Sequence, residues 1–148
     1  MIFSQFFEGQ RFQTEPSLIT KEEILHFASQ FDPQYFHLNE VEAAHGPFKG
    51  IIASGFHTMS IIWAKFIKMN ILGTDCLGGT GAELIQWKKP VRPNDVIAGV
   101  ITVKSKNPLS RNKGLLSLQM TIENAENQEV CSALVKVLVR DIQLKEEE

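Results

Sequence analysis

In the segment Phe31-Asp32-Pro33-Gln34-Tyr35-Phe36-His37 a carboxylate and an imidazole stand five residues apart. On an unbroken helix that spacing sets them about 140° apart. Pro33 argues against an unbroken helix, because the residue before a proline avoids the α region. A turn or a single helical loop can instead aim Asp32 and His37 into one pocket. Such a pair can hold a water, one group removing a proton and the other supplying one, and reference pKa values of about 3.9 and 6.5 suit that division. The same residues also fit a structural role, with Asp32 as a helix N-cap ahead of Pro33 and His37 bonded to a backbone carbonyl. Spacing alone leaves both open.

A second constellation is Gly50-Ile51-Ile52-Ala53-Ser54-Gly55-Phe56-His57. A glycine in the first turn of an apolar helix leaves backbone amides uncovered at the positive end of the helix dipole. Amides so placed can hold a thioester carbonyl and stabilise the enolate oxygen formed when water adds to a conjugated double bond. The plain alternative is that Gly55 only lets helix and sheet pack closely. Of the other histidines, His57 lies two residues into that helix and either lines the pocket or is a satisfied structural group. His45 sits in a Gly/Pro-containing loop beside it, and His26 falls on the exposed side of the preceding helix. No His-x-x-x-His pair is present, and no metal is expected.

The elements that must position these groups follow from patterning. Thr20-x-x-Glu23 is a capping box. Ile24, Phe27, Ala28 and Phe31 then form one apolar helical face, and that helix should stop at Asp32-Pro33. A second helix should open near Ser54-Gly55. Met59, Ile62, Trp63, Phe66, Ile67 and Met69 make it apolar on more than one side, which predicts a helix surrounded by protein. Near the start, Phe7-Glu8-Gly9-Gln10 reads as a turn into a short extended segment from Arg11. Beyond Gly81, residues 83–88, 96–104, 115–124 and 129–140 read as strands separated by turn formers, Asn107-Pro108 and Asn112-Lys113-Gly114 among them. Alternation of Leu116, Leu118, Met120 and Ile122, and of Cys131, Ala133, Val135, Val137 and Val139, puts one face of each strand on a core. The expectation is one α+β domain over residues 1–148, an antiparallel sheet wrapped around a long apolar helix in the hot-dog arrangement, with a solvated tail from about residue 141.

Composition narrows the function classes. A formal charge of −2 and the lack of a basic stripe argue against nucleic acid. The apolar share of 43% and charged share of 22% are those of a soluble globular protein. Residues 51–72 are apolar enough to raise the question of a membrane span, but His57, Lys65 and Lys68 interrupt them, so a buried helix is the better reading. Cys76 and Cys131 form no Cys-x-x-Cys and read as reduced thiols. Met1-Ile2-Phe3-Ser4-Gln5 has no signal-peptide character, and the expected location is the cytoplasm.

Asp-x-x-x-x-His, followed by Ala43-Ala44 and then by Gly-Ile-Ile-Ala-Ser-Gly into an apolar helix, resembles the MaoC-like (R)-specific enoyl-CoA hydratases. Trp87-Lys88-Lys89-Pro90-Val91-Arg92-Pro93-Asn94-Asp95 is similar to that family's strand ending in Pro-Val and a Pro-Gly-Asp turn, and the likeness runs from about residue 10 to 140. The resemblance implies hydration of a trans-2-enoyl thioester of coenzyme A, or the reverse dehydration. Asp32 and His37 would activate water and the Gly55 amide would hold the thioester oxygen. Coenzyme A would enter as part of the substrate, with no separate cofactor. Gln34, Tyr35, Phe36, Ser54, His57, Lys49 and Arg92 would line the substrate site. The sequence departs from the family's Gly-Asp-x-Asn-Pro-aliphatic-His with Phe31, Gln34, Tyr35 and Phe36, changes that leave the proton-transfer pair in place and alter the entrance. Lys49, Lys88, Lys89, Arg92, Arg111 and Lys113 are the candidates for phosphate contacts. A thioesterase would want a carboxylate in the core helix, and residues 51–72 contain none. An acyl-thioester-binding domain without turnover is the other alternative. The resemblance and the open edge of a lone sheet both point to a homodimer.

Overall fold

The computed structural model describes residues 1–142; the final residues of the expected tail lie outside them. Four helices precede most of the sheet: α1 (Lys21–Phe31), α2 (Tyr35–Leu38), α3 (Glu40–His45) and α4 (Gly55–Lys68). The strands are β1 (Arg11–Gln13), β2 (Ser17–Leu18), β3 (Cys76–Trp87), β4 (Val96–Ser110), β5 (Lys113–Asn124) and β6 (Glu129–Arg140). They form one antiparallel sheet in the order β1-β4-β5-β6-β3, with β2 also on β4. The architecture is the α+β hot-dog domain that the patterning predicts, and no helix of the described residues is long and apolar enough to cross a membrane.

The core lies between α4 and one face of the sheet. Ile97, Ile101 and Val103 on β4, Leu116, Leu118, Met120 and Ile122 on β5, and Cys131, Ala133, Val137 and Val139 on β6 are all buried, the alternation expected of strands with one covered face, although on β6 Val135 is only partly buried and Val130 and Ser132 are buried as well. From α4 they receive Ile62 and Phe66. Helix and sheet meet closely at Gly99: a Cβ there would fall 2.3 Å from Cγ2 of Ile62. Only a residue without a side chain lets α4 approach β4 at that point.

Four expectations are corrected. α4 is not surrounded within one chain, because Phe56 and Ile67 on its outer side stay exposed. β4 runs on to Ser110, past the end of its buried alternation at Val103, so Asn107-Pro108 is strand and not turn. Pro108 pairs with Gly114 on one side, and on the other β1 covers β4 only at residues 100–102, so proline's missing N–H leaves no ladder bond unmade. β3 starts at Cys76, seven residues before the predicted strand, through a glycine-rich stretch whose composition hides it. Only half of the Thr20 capping box forms: the threonine hydroxyl accepts from the Glu23 amide at 3.2 Å, and no return bond from the Glu23 side chain is present among the described residues.

Candidate active site

Asp32 ends α1 as its C-cap, with φ −154° and ψ 68°, and its N–H bonds back to the Ala28 carbonyl. It is therefore not the N-cap of a following helix; that place is taken by Gln34, ahead of α2. Pro33 separates the two helices, and the turn between them brings the Asp32 carboxylate beside His37 on α2. Nε2 of His37 lies 3.2 Å from Oδ2 of Asp32, with side chains 4% and 17% exposed respectively.

The imidazole has a second partner. Its Nδ1 lies 2.6 Å from the carbonyl oxygen of Ile52. A carbonyl only accepts, so Nδ1 carries a hydrogen and Nε2 is the nitrogen facing Asp32. One ring nitrogen is thus tied to a backbone carbonyl while the other faces the carboxylate. The segment before α4 holds this geometry, since the Ile52 amide donates to the Phe36 carbonyl at 3.0 Å and the Ala53 amide to that of Val91 at 2.7 Å.

Ser54 is the N-cap residue of α4, yet it makes no side-chain capping bond. Its hydroxyl instead donates to Oδ2 of Asp32 at 2.7 Å, and the side-chain Nε2 of Gln34 donates to Oδ1 at 2.7 Å. Burial raises the pKa of the Asp32 carboxyl, but the hydrogen bonds from Gln34 and Ser54 and the neighbouring His37 outweigh it, and the net shift is below the ordinary 3.8. With its serine so engaged, α4 presents the first-turn amides of Gly55 and Phe56 uncapped, at the positive end of the helix.

These groups share one cleft of about 370 Å³, lined by Asp32, Gln34, Phe36, His37, Gly55 and Phe56 together with Thr58, Trp87, Lys88, Lys89 and Cys131. Its walls are mostly apolar with a few convergent polar groups, the usual character of a small-molecule site. The indole of Trp87 lies directly on Gly55, and a Cβ there would fall 2.2 Å from both Nε1 and Cε2. Gly55 therefore serves close packing as well as open amides. Burial, with the carboxylate of Glu129 beside it, pushes the Cys131 thiol up to about 11, so it is a poor nucleophile at neutral pH.

The remaining candidates fall in different places. Phe36 lines the cleft, whereas Tyr35 does not; its ring packs edge-on to Phe36 and against Gly46. His57 is buried away from the cleft, stacked on Phe27 at 4.6 Å with Nδ1 unpartnered, and burial pulls its pKa down. Arg92 donates from its guanidinium to the Phe48 carbonyl at 2.6 Å and so ties the loop before α4 to the β3–β4 turn. Lys49 is exposed on that loop with φ 59°. Lys88 and Lys89 line the cleft, Lys88 being bonded to Glu129 at 2.8 Å. Arg111 and Lys113 belong to the β4–β5 hairpin and do not line it. Trp87, Thr58 and the Ile52 carbonyl are site groups that residue type and spacing do not reveal.

This fold and cleft are those of a hot-dog domain with a site at the mouth of its central helix. The (R)-hydratase PhaJ1 from Pseudomonas aeruginosa, in its unliganded form, matches with a TM-score of 0.73 at 20% identity, over 99% of this chain and 93% of that one. A MaoC-like dehydratase from Rhodospirillum rubrum matches with a TM-score of 0.89 at 29% identity, over 97% and 99%. The uncharacterized protein YdeM of Bacillus subtilis (strain 168) is 34% identical over 140 residues, 95% of this chain and 99% of its own length. The model of the MaoC-like domain matches residues 5–139. The chain belongs to the MaoC-like domain family, which at family level places it with hydratases and dehydratases.

Proposed function

We propose that the protein adds water to a trans-2-enoyl thioester of coenzyme A, or removes it from the 3-hydroxyacyl thioester. The observation that carries this reading is the position of Ser54. One hydroxyl fixes the carboxylate of Asp32 and, by leaving its capping role, frees the amides of α4. Proton transfer and oxyanion stabilisation are thereby set side by side in one cleft.

In this reading water sits against Oδ2 of Asp32 and Nε2 of His37. Asp32, held below the ordinary carboxylate range, stays ionised, orients the water and balances the imidazolium. Nε2 takes a proton from the water as oxygen attacks C3, and a proton is returned at C2. The thioester oxygen, which gains charge as the enolate forms, is held by the Gly55 amide. Lys88 and Lys89 stand at the cleft for the phosphates of coenzyme A, with Lys49 on the neighbouring loop. In the same reading a second copy covers the exposed edge of β3 and the outer side of α4 to give a homodimer, and the protein works in the cytoplasm. Sedimentation showing only monomer at micromolar concentration would refute the dimer.

Crotonyl-CoA and longer trans-2-enoyl-CoAs test the activity spectrophotometrically. Loss of the conjugated thioester absorbance without free thiol supports hydration. Release of free thiol would instead establish a thioesterase, and acyl-CoA binding without turnover of any enoyl-CoA would establish a binding domain. The high thiol pKa of Cys131 and the lack of a carboxylate in α4 both stand against thioester cleavage.

A further inference from the structure

Trp87 reaches Gly55 only because β3 is irregular. Ala82 pairs with Val135 and Glu83 with Leu134, whereas further along Gln86 pairs with Ser132 and Trp87 with Cys131. Three steps on β3 thus match two on β6, which is one extra residue. An insertion of one residue reverses which face every later side chain occupies. Without it Trp87 would point away from α4; with it Trp87 lies on the same face as the buried Cys131 opposite. The extra residue is accommodated at Leu84, whose φ is 54° and whose side chain is 72% exposed. A non-glycine residue in that region is strained. No core contact of Leu84 accounts for the strain.

What the bulge delivers is an N–H group. Trp87 is half exposed, lines the cleft, and packs edge-on against Phe56 with ring centres 5.0 Å apart. Its indole Nε1–H makes no hydrogen bond among the described residues. Because Nε1 lies 2.2 Å from the place of a Gly55 Cβ, ordinary bond lengths bring it within about 5 Å of the Gly55 nitrogen. Two donors that close can share one oxygen at normal hydrogen-bond lengths. We propose that the Trp87 indole N–H is the second donor to the thioester oxygen, completing with the Gly55 amide a two-donor oxyanion site. The proposal rests on the hydratase reading above, and gives Trp87 a catalytic part that its residue type alone does not suggest.

Trp87→Phe keeps an aromatic ring against Gly55 and Phe56 and deletes only the donor. With crotonyl-CoA it should lower kcat about 100-fold, with KM changed less than threefold, since a donor that strengthens toward the transition state acts on kcat. The second readout needs no variant to fold. The chain has two tryptophans, so two indole N–H resonances are expected, and saturating the wild type with butyryl-CoA, which cannot be hydrated, should move that of Trp87 downfield while Trp63 stays. A Trp87→Phe enzyme within twofold of wild-type kcat, or a Trp87 resonance unmoved by saturating butyryl-CoA, would overturn the assignment. If the wild type leaves enoyl-CoA unchanged yet the Trp87 resonance shifts, the hydratase reading fails and the donor assignment stands as a carbonyl-binding contact. If butyryl-CoA does not bind at all, both readings fall.

Discussion

Replacing Gly55 by alanine sets two effects of opposite sign against each other, and Trp87 decides which one wins. The new methyl would lie 2.2 Å from Nε1 and Cε2 of the indole, against an ordinary separation of about 3.5–4.0 Å. The ring must therefore retreat by more than an ångström. Overpacking of that kind costs about 1–3 kcal/mol, toward the lower end here because Trp87 is half exposed and can turn aside. The backbone at Gly55 is helical, so alanine also gains about 0.4–1 kcal/mol from reduced freedom of the unfolded chain. The expected net loss is about 0.5 kcal/mol, a drop of roughly 2 °C in Tm. In a Trp87→Ala background the obstruction is gone and Gly55→Ala should become stabilising. The four proteins of the cycle, measured by urea denaturation, should therefore give a coupling of at least 1 kcal/mol with a change of sign. Equal effects of Gly55→Ala in both backgrounds would show that the indole does not rest on Gly55. Activity provides an independent check, because the displaced ring crowds the amide: Gly55→Ala should lose turnover even though folded.

Further outcomes can be stated for the groups around this contact. Asp32→Asn and His37→Ala should each lower kcat/KM for crotonyl-CoA by about 10²–10⁴-fold while near-ultraviolet circular dichroism stays native; wild-type rates in either would sink the acid–base assignment. Ser54→Ala removes a hydrogen bond to a carboxylate and should cost about 1–2 kcal/mol in denaturant unfolding. The sign with pH follows from the lowered pKa of Asp32: its stabilising contribution is present above the unfolded value near 3.8 and is lost as pH falls through the lower folded value. Ser54→Ala should move that loss, and the acid limb of kcat/KM, to higher pH; an unmoved acid limb would refute the link between the two residues. Cys131, with its thiol near 11, should react with iodoacetamide at pH 8 about 100-fold more slowly than a thiol of ordinary pKa 9.0, and label at the normal rate only after denaturation, as read by mass spectrometry.

The parts of this molecule that were legible in its sequence are those that repeat. α1 announces itself by Thr20 and a period of three to four, and β5 and β6 by an approximate alternation, because burial on one side imposes a similar demand at every second residue. The approach of Asp32 to His37 was legible as a possibility, and Pro33 supplied the reason for a break between them. What could not be read are single exceptions. α2 and α3 span four and six residues, too short to show a period. The start of β3 is disguised by Gly78, Gly79 and Gly81, whose composition suggests a loop. The face on which Trp87 lies depends on one inserted residue at Leu84, and nothing in the local pattern marks it. Ser54 looks in sequence like an ordinary cap; that its hydroxyl turns to a carboxylate 22 positions earlier is a fact of tertiary structure alone.

The bond from His37 to the Ile52 carbonyl carries one more consequence. That carbonyl has no proton to give and lies buried at the foot of α4, so Nδ1 is closed to exchange with solvent. Nε2, opening on the cleft, is the ring's sole port. Such an imidazole is a dead end for protons and not a wire through the protein: what enters from the cleft must leave by the cleft. In the dehydration direction, hydrogen lifted from C2 would then depart with the hydroxyl it helped to expel. Substrate labelled with tritium at C2 should hand its label to the water of that same turnover, before bulk solvent has any access to it.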